Sequence, residues 1–278
     1  MKNLFLICGT VSIACVVFIT AYMIYSGVPA IAEIGIVDFL FGTVWKSTGS
    51  NTQFGILPFI LTSIWGTLGA IVIGVPIGLL TAVYLAKLSH GKLSNIVRPA
   101  VQLLAGIPSV VYGLIGMMVL VPAVMNTFNL PSGANLFSAI IVLAIMILPS
   151  IITVSETALL AVPKEYEEAS LALGANQIET VFKVSIPAAK SGIIAGIVLG
   201  VGRAIGEAMA VMMVSGNVAN MPGIFTSVRF LTTAVASEMG YASGLQEKAL
   251  FSIALVLYCF IMIINAALNY FLKREKDA

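Results

Sequence analysis

Six apolar stretches, at about 4–26, 56–86, 100–124, 137–160, 190–214 and 250–272, each meet the roughly 17–25 residues that a helix needs to cross a bilayer. No other feature constrains the fold as strongly. In hydrocarbon an unpaired backbone N–H or C=O costs several kcal/mol, so only helices and closed barrels can span it. Period-two alternation, the mark of a barrel strand, is absent. With 59% hydrophobic and 9% charged residues, the chain lies far from an ordinary soluble composition, about a quarter charged. The expected fold is an all-α integral membrane protein of about six transmembrane helices.

The second stretch is longer than a span requires and carries Gly74 and Pro76, so it is expected to tilt, kink or emerge from the membrane. Pro108 and Pro149 lie inside later spans and predict kinks. The first stretch also reads as a signal peptide, because Lys2 precedes it and Ala30-Ile31-Ala32 offers a small-x-small cleavage site. Its length exceeds the 7–15 residues of a signal core, which favours a retained helix. Cys8, Cys15 and Cys259 fall in apolar stretches without metal-ligand spacing and read as small hydrophobes.

Charge distribution orients the spans. Lys2; Lys87, Lys92 and Arg98; Lys164, Lys183 and Lys190; and Lys273, Arg274 and Lys276 fall on one side. Only Lys46, Arg229 and Lys248 fall on the other. Ten against three obeys the positive-inside rule and predicts both termini in the cytoplasm. The segments 27–55 and 215–249 then face outward. The first has the turn-rich Gly49-Ser50-Asn51-Thr52, and the second has Phe225–Val235, which reads as a short amphipathic helix. They are either solvated connections or a docking surface for an external protein.

Residues 161–189 form a polar, helix-rich insert on the predicted cytoplasmic side. Pro163 suits the first helical position, and Glu165, Glu167 and Glu168 favour the positive end of the helix dipole. Tyr166, Ala169 and Leu173 make one apolar face. Gly174 suits a left-handed C′ position, and Asn176 with Glu179 reads as a capping box. A second helix is expected to reach about Val184, before Pro187 stops it. The small residues Ala169, Ser170 and Ala172 let a helix sit deep in a partner's groove.

The fifth stretch carries charge within the membrane. Gly192, Gly196 and Gly200 form a small-xxx-small ridge. Arg203 falls near mid-span and Glu207 one turn further along the expected helix. An Arg at the bilayer centre costs about 2.5–3.5 kcal/mol on insertion scales, so it faces the protein interior or a wet cavity. Two readings stand side by side: an internal ion pair holding helices in register, or a cation beside an anion path, where the guanidinium fork suits oxyanions. Ser109 and Tyr112, in AGIPSVVYG, are candidate hydroxyls on a central path. Glu156, Lys87 and Arg98 read as snorkelling boundary charges. His90 reads as solvated.

The string Glu168-Ala169-Ser170, Gly174 and Val184-x-Ile186-Pro187 resembles the EAA loop by which ABC import permeases engage their ATPase. With FGILPFI at 54–60, AGIPSVVYGL at 105–114 and GRAIGEAMAVMMVSGN at 202–217, the chain resembles the C-type permease family of bacterial phosphate-specific ABC transporters, over residues 54–273. The resemblance implies a type I importer (MetI-like) permease fold. It implies a first helix and external segment at 1–55, a permease domain at 56–273 and a cytoplasmic tail at 274–278.

It further implies one half of a phosphate pathway in the bacterial cytoplasmic membrane. The implied partners are a sister A-type permease, a cytoplasmic ATPase dimer carrying ATP and Mg, and an extracytoplasmic phosphate-binding protein. No cofactor is expected on this chain, and no nucleophile–base pair, Walker motif or metal-ligand cluster marks it as an enzyme. Glu168, Ala169 and Gly174 are carried over for coupling, and Arg203 and Glu207 for the permeation path. Ser170 replaces the usual Ala, and Pro187 closes the motif. A permease for another oxyanion, the A-type subunit, an ion-coupled secondary carrier and a membrane sensor are the competing readings.

Overall fold

The computed structural model describes residues 2–49, 51–89 and 91–276, with side chains described among residues 3–266. His90, Ser50 and the side chains of Lys2, Lys273, Arg274 and Lys276 lie outside the described set. The chain is almost wholly helical. Helix α1 spans Lys2–Ile34 and α2 Ile36–Phe41; a two-residue hairpin, β1 (Trp45–Lys46) and β2 (Gln53–Phe54), pairs Trp45 with Phe54 and Lys46 with Gln53. Helix α3 (Leu57–Val83) ends in a wider π turn at Tyr84–Leu88; α4 (Ser94–Gly106) and α5 (Ser109–Ile115) follow. A π turn at Gly116–Leu120 leads into α6 (Val121–Thr127), and then come α7 (Leu136–Leu160) and α8 (Lys164–Ala172). Helix α9 (Gln177–Thr180) continues through a π turn at Val181–Ser185 into α10 (Ile186–Ala188). The chain closes with α11 (Lys190–Gly206), α12 (Met209–Val214), α13 (Leu231–Glu238) and α14 (Leu245–Lys276).

Among the described residues, five helices are long and apolar enough to cross a membrane, or six if α9–α10 and α11 are one bent span. The all-α expectation holds, but two expected spans are broken. The 100–124 stretch is divided at Ile107-Pro108: α4 ends at Gly106, and Pro108 is the N-cap of α5 rather than a kink within a helix. The residue before a proline is pushed out of the helical region, and Ile107 has ψ 127 accordingly. The 190–214 stretch ends its first helix at Gly206, with Glu207 extended at ψ 127. By contrast, Gly74 and Pro76 do not break α3.

α7 is the axis of the bundle and α1 lies at its edge; most of α7's apolar window is buried and none of α1's is. Small residues let two helices close on α7. On α3, a Cβ at Gly69, Gly74 or Gly78 would meet Ile140, Ile147 or Ile151 at 2.6–2.9 Å. On α11 the predicted Gly192–Gly196–Gly200 ridge meets Ala158, Val154 and Ile151. α1 packs on α14 through Tyr22 and Phe251, edge to face at 5.6 Å, and the Ser252 hydroxyl donates to the Gly27 carbonyl at 2.6 Å.

At the end opposite the 161–189 insert, the expected helix over Phe225–Val235 starts later, at Leu231. Residues 225–230 instead return as irregular chain, and Val228 bridges to Gly216. The Thr233 hydroxyl accepts the Phe230 N–H at 2.9 Å, which sets where α13 begins.

Candidate functional site

The insert forms a helical hairpin. Glu165 and Glu167 lie in the first turn of α8, with Pro163 at the N-cap, one position before the expected one. At the C-terminus, Gly174 has φ +92. Its N–H bonds the Leu171 carbonyl at 2.9 Å and the Ala175 N–H bonds that of Ser170 at 3.2 Å. This paired arrangement satisfies two orphan carbonyls and needs the left-handed backbone that glycine adopts freely. The capping box is as the sequence predicts: Asn176 Oδ1 accepts the Glu179 N–H at 2.9 Å, and Glu179 Oε2 accepts the Asn176 N–H at 3.1 Å. Pro187 does not stop the second helix: it follows directly on the π turn at Val181–Ser185, and the chain stays helical to Ala188. The chain turns instead at Ala189, where the two helices meet at 72°.

α8 buries none of its residues. Tyr166, Leu171, Leu173, Ile178 and Phe182 are large apolar side chains left exposed, Leu173 by 90%. Glu168 and Ala169 are exposed among them. Ser170, half-buried, places its hydroxyl 2.9 Å from that of Thr180 and so ties α8 to α9. Behind this face, Glu167 takes two partners: Lys87 Nζ at 2.5 Å and the Ser185 hydroxyl at 2.9 Å. Lys87 is therefore paired across the fold, and so are the other supposed snorkellers: Arg98 Nε lies 2.7 Å from Glu156 Oε1, and Arg98 Nη2 donates to the Leu85 carbonyl at 3.0 Å. Sequence reasoning missed these pairs because their partners are remote along the chain; opposite charges at adjacent span ends were the only signal.

The second locus joins the two broken stretches. Gly113 of α5 lies against α12 so closely that a Cβ would sit 2.8 Å from both Ala210 Cα and Met213 Sδ. Leu104, Ile107, Tyr112, Ala204 and Ala210 share one apolar cluster, so both breaks lie side by side. Each break is braced. Tyr112, buried, donates its hydroxyl at 2.6 Å to the Leu104 carbonyl at the end of α4, whose backbone partner, the Ile107 N–H, stands at 3.4 Å. Glu207 Oε1 accepts the Ala210 N–H at 2.9 Å at the start of α12, and its backbone carbonyl accepts from Thr232 at 2.7 Å.

Glu207 therefore does not continue the face of Arg203, and the structure shows no ion pair between them. Arg203, in the last turn of α11, is half-buried and has no hydrogen-bond or ion-pair partner among the described residues. Its charge is within Coulombic range of Tyr112. Gly106, Gly202 and Gly206 have open space where a Cβ would stand, so the surface around the breaks is uncovered. Ser109, at the start of α5, is half-buried beside it. At 1.5 Å per residue, Arg203 lies about 20 Å along α11 from Lys190.

A helical membrane bundle with interrupted helices at its centre and an exposed helical hairpin at one end defines a multi-pass transport component. The chain belongs to the family of binding-protein-dependent transport system inner membrane components, whose model matches residues 74–277. Among its relatives, a probable ABC transporter permease protein, YqgH of Bacillus subtilis, is 35% identical over 274 residues, 97% of this chain and 89% of that protein. The phosphate transport system permease protein PstC of Pasteurella multocida is 34% identical over 249 residues, 81% of this chain and 78% of that one. In fold, the chain resembles a subunit of the MetNI methionine ABC transporter in an inward-facing conformation, with a TM-score of 0.64 at 21% identity, over 79% of this chain and 95% of that one.

Proposed function

We propose that this chain is the C-type permease subunit of an ATP-driven phosphate importer and forms half of the translocation pathway. The observation that carries the substrate path is Arg203, a cation at membrane depth with no described partner, beside an uncovered face. An unpaired guanidinium there is costly and becomes tolerable when an anion, water or a neighbouring subunit supplies the missing interactions. Phosphate suits its planar fork of donors. The phosphate permeases among the relatives support the choice of anion. Ser109 adds a hydroxyl near the path, while Tyr112 and Glu207 act by bracing the two breaks that shape it.

The exposed hairpin supports docking to a cytoplasmic ATPase. Leu173 and its apolar neighbours supply contact area, Glu168 a rim charge, Ala169 and Ser170 a low profile, and Gly174 the sharp turn. Pro187 belongs to the helix that feeds back into the membrane. In this reading the hairpin and both termini are cytoplasmic, in the bacterial cell membrane. ATP and Mg belong to the ATPase dimer, the sister permease covers the open face, and an external binding protein delivers phosphate. The chain itself binds no cofactor.

The test is radiolabelled phosphate uptake in cells lacking their own high-affinity system, with all partner subunits and Arg203→Gln. Lost uptake with normal membrane levels and normal ATPase assembly supports the pathway role. Unchanged uptake reduces Arg203 to helix packing. Transport of a different oxyanion by the unaltered complex overturns the substrate assignment alone.

A further inference from the structure

The π turn at Tyr84–Leu88 is gripped by both halves of the hairpin. Lys87, with its side chain 10% exposed, reaches Glu167 of α8 through its ammonium group. Its backbone carbonyl accepts from Gln177 Nε2 of α9 at 3.1 Å. Ser185, from the π turn that precedes α10, donates to the same Glu167 oxygen. The last carbonyls of a helix have no intrahelical partner, which leaves those of Leu85 and Lys87 free to accept side chains from elsewhere. One residue at the end of a membrane span is thus held through its side chain by the first coupling helix and through its carbonyl by the second.

That span leads across the molecule. α3 runs unbroken from Leu57 to Val83 and lies along α7 through its glycine face. At its far end the Ser63 hydroxyl accepts the Leu231 N–H at 3.1 Å, at the start of α13. Gly66 lies directly against the Phe230 ring, with 2.4 Å left for a Cβ. A long helix fixed at both ends moves as a unit, so a displacement of the hairpin delivered to Lys87 is felt at α13. The exposed apolar face of the hairpin contributes nothing to this link; Glu167 and Lys87 stand behind it.

We propose that the Lys87–Glu167 pair is the strut that carries movement of the coupling hairpin into α3, and that both are positioning residues for coupling ATP hydrolysis to opening of the path. The proposal rests on the importer reading above. It is tested on the complete complex in proteoliposomes with phosphate-loaded binding protein, measuring phosphate moved per ATP hydrolysed and the stimulation of hydrolysis by the binding protein. Lys87→Gln and Glu167→Gln are each expected to lower both quantities about tenfold, within the range seen for coupled sites, in complexes that still assemble. The exchanged pair Lys87→Glu/Glu167→Lys is expected to recover most of the loss.

Gln177→Ala removes the second grip without stranding a charge, and is expected to lower the same ratio about threefold, within the worth of one hydrogen bond. Unchanged ratios in the single variants overturn the strut. So does a loss that the exchange leaves unrepaired. If the single variants fail to assemble, Gln177→Ala decides, and an unchanged ratio there overturns it. A complex of the unaltered chain that ignores phosphate-loaded binding protein fails the functional reading instead. A responsive unaltered complex with responsive variants fails the strut alone.

Discussion

At the end opposite the hairpin, Glu238 holds four elements together, and its replacement by alanine is the most informative stability test. The carboxylate pairs with Arg229 Nη1, accepts Trp45 Nε1 at 3.2–3.3 Å from the β-hairpin, and accepts Gln246 Nε2 of α14 at 2.9 Å. The side chains of Arg229 and Glu238 are only 15% and 9% exposed. Arg229 keeps two bonds to the Asn217 carbonyl and lies 5.8 Å from the centre of the Phe59 ring. Glu238→Ala leaves that guanidinium without a counter-charge and two donors without an acceptor. Breaking a buried pair from one side costs about 3–5 kcal/mol. For a chain of this size that lowers the unfolding midpoint by roughly 10 °C.

Trp45 and Trp65 are the two tryptophans, so Trp65→Phe leaves Trp45 as a fluorescence reporter inside the network. The assay is thermal unfolding of the purified protein in detergent, followed by Trp45 emission. Arg229→Met combined with Glu238→Leu is expected to recover most of the midpoint, because removing both charges strands neither. A single variant within about 2 °C of the unaltered protein would refute the reasoning, since it would put the pair below 1 kcal/mol.

Other expectations are simpler. Gly174→Ala meets open space but forces an L-residue to φ +92, at about 1–2 kcal/mol; ATPase co-purification and phosphate uptake should fall, and Gly174→Asn should be milder. Gly113→Ala drives a methyl to 2.8 Å from Ala210 Cα and Met213 Sδ and should cost about 1–3 kcal/mol by thermal shift. Gly106→Ala, whose Cβ meets nothing, should stay within about 0.5 kcal/mol. Tyr112→Phe removes the bond to the Leu104 carbonyl and should cost about 1 kcal/mol by the same assay; an unchanged midpoint would show that the break is held by packing alone.

Local signals read well because their causes are local. A capping box closes within four residues, so Asn176 and Glu179 disclose it, and a left-handed helix end selects Gly174 wherever it occurs. Hydropathy located the membrane helices, since the need to bury backbone polar groups acts along each stretch separately. Averaging over a window hid the interruptions. Pro108 was visible as a perturbation, but whether it bends a helix or starts a new one depends on what caps the preceding carbonyls, and Tyr112 does so from the next turn. At Glu207, a charge between Gly206 and Ala208 read as a continuation of the helix because nothing in sequence announces that its carboxylate serves the Ala210 N–H.

The amino-acid sequence by itself determined the all-α membrane class, the apolar stretches and the helical hairpin with its caps, because each follows from solvation or backbone geometry over a few neighbouring residues. The tertiary structure alone decided that Lys87 meets Glu167, that Arg98 meets Glu156 and that Glu238 gathers Arg229, Trp45 and Gln246. It also left Arg203 without a partner among the described residues. Which charges neutralise each other depends on distance after folding, and distance between residues remote in the chain is set by how α3, α7 and α11 close on one another.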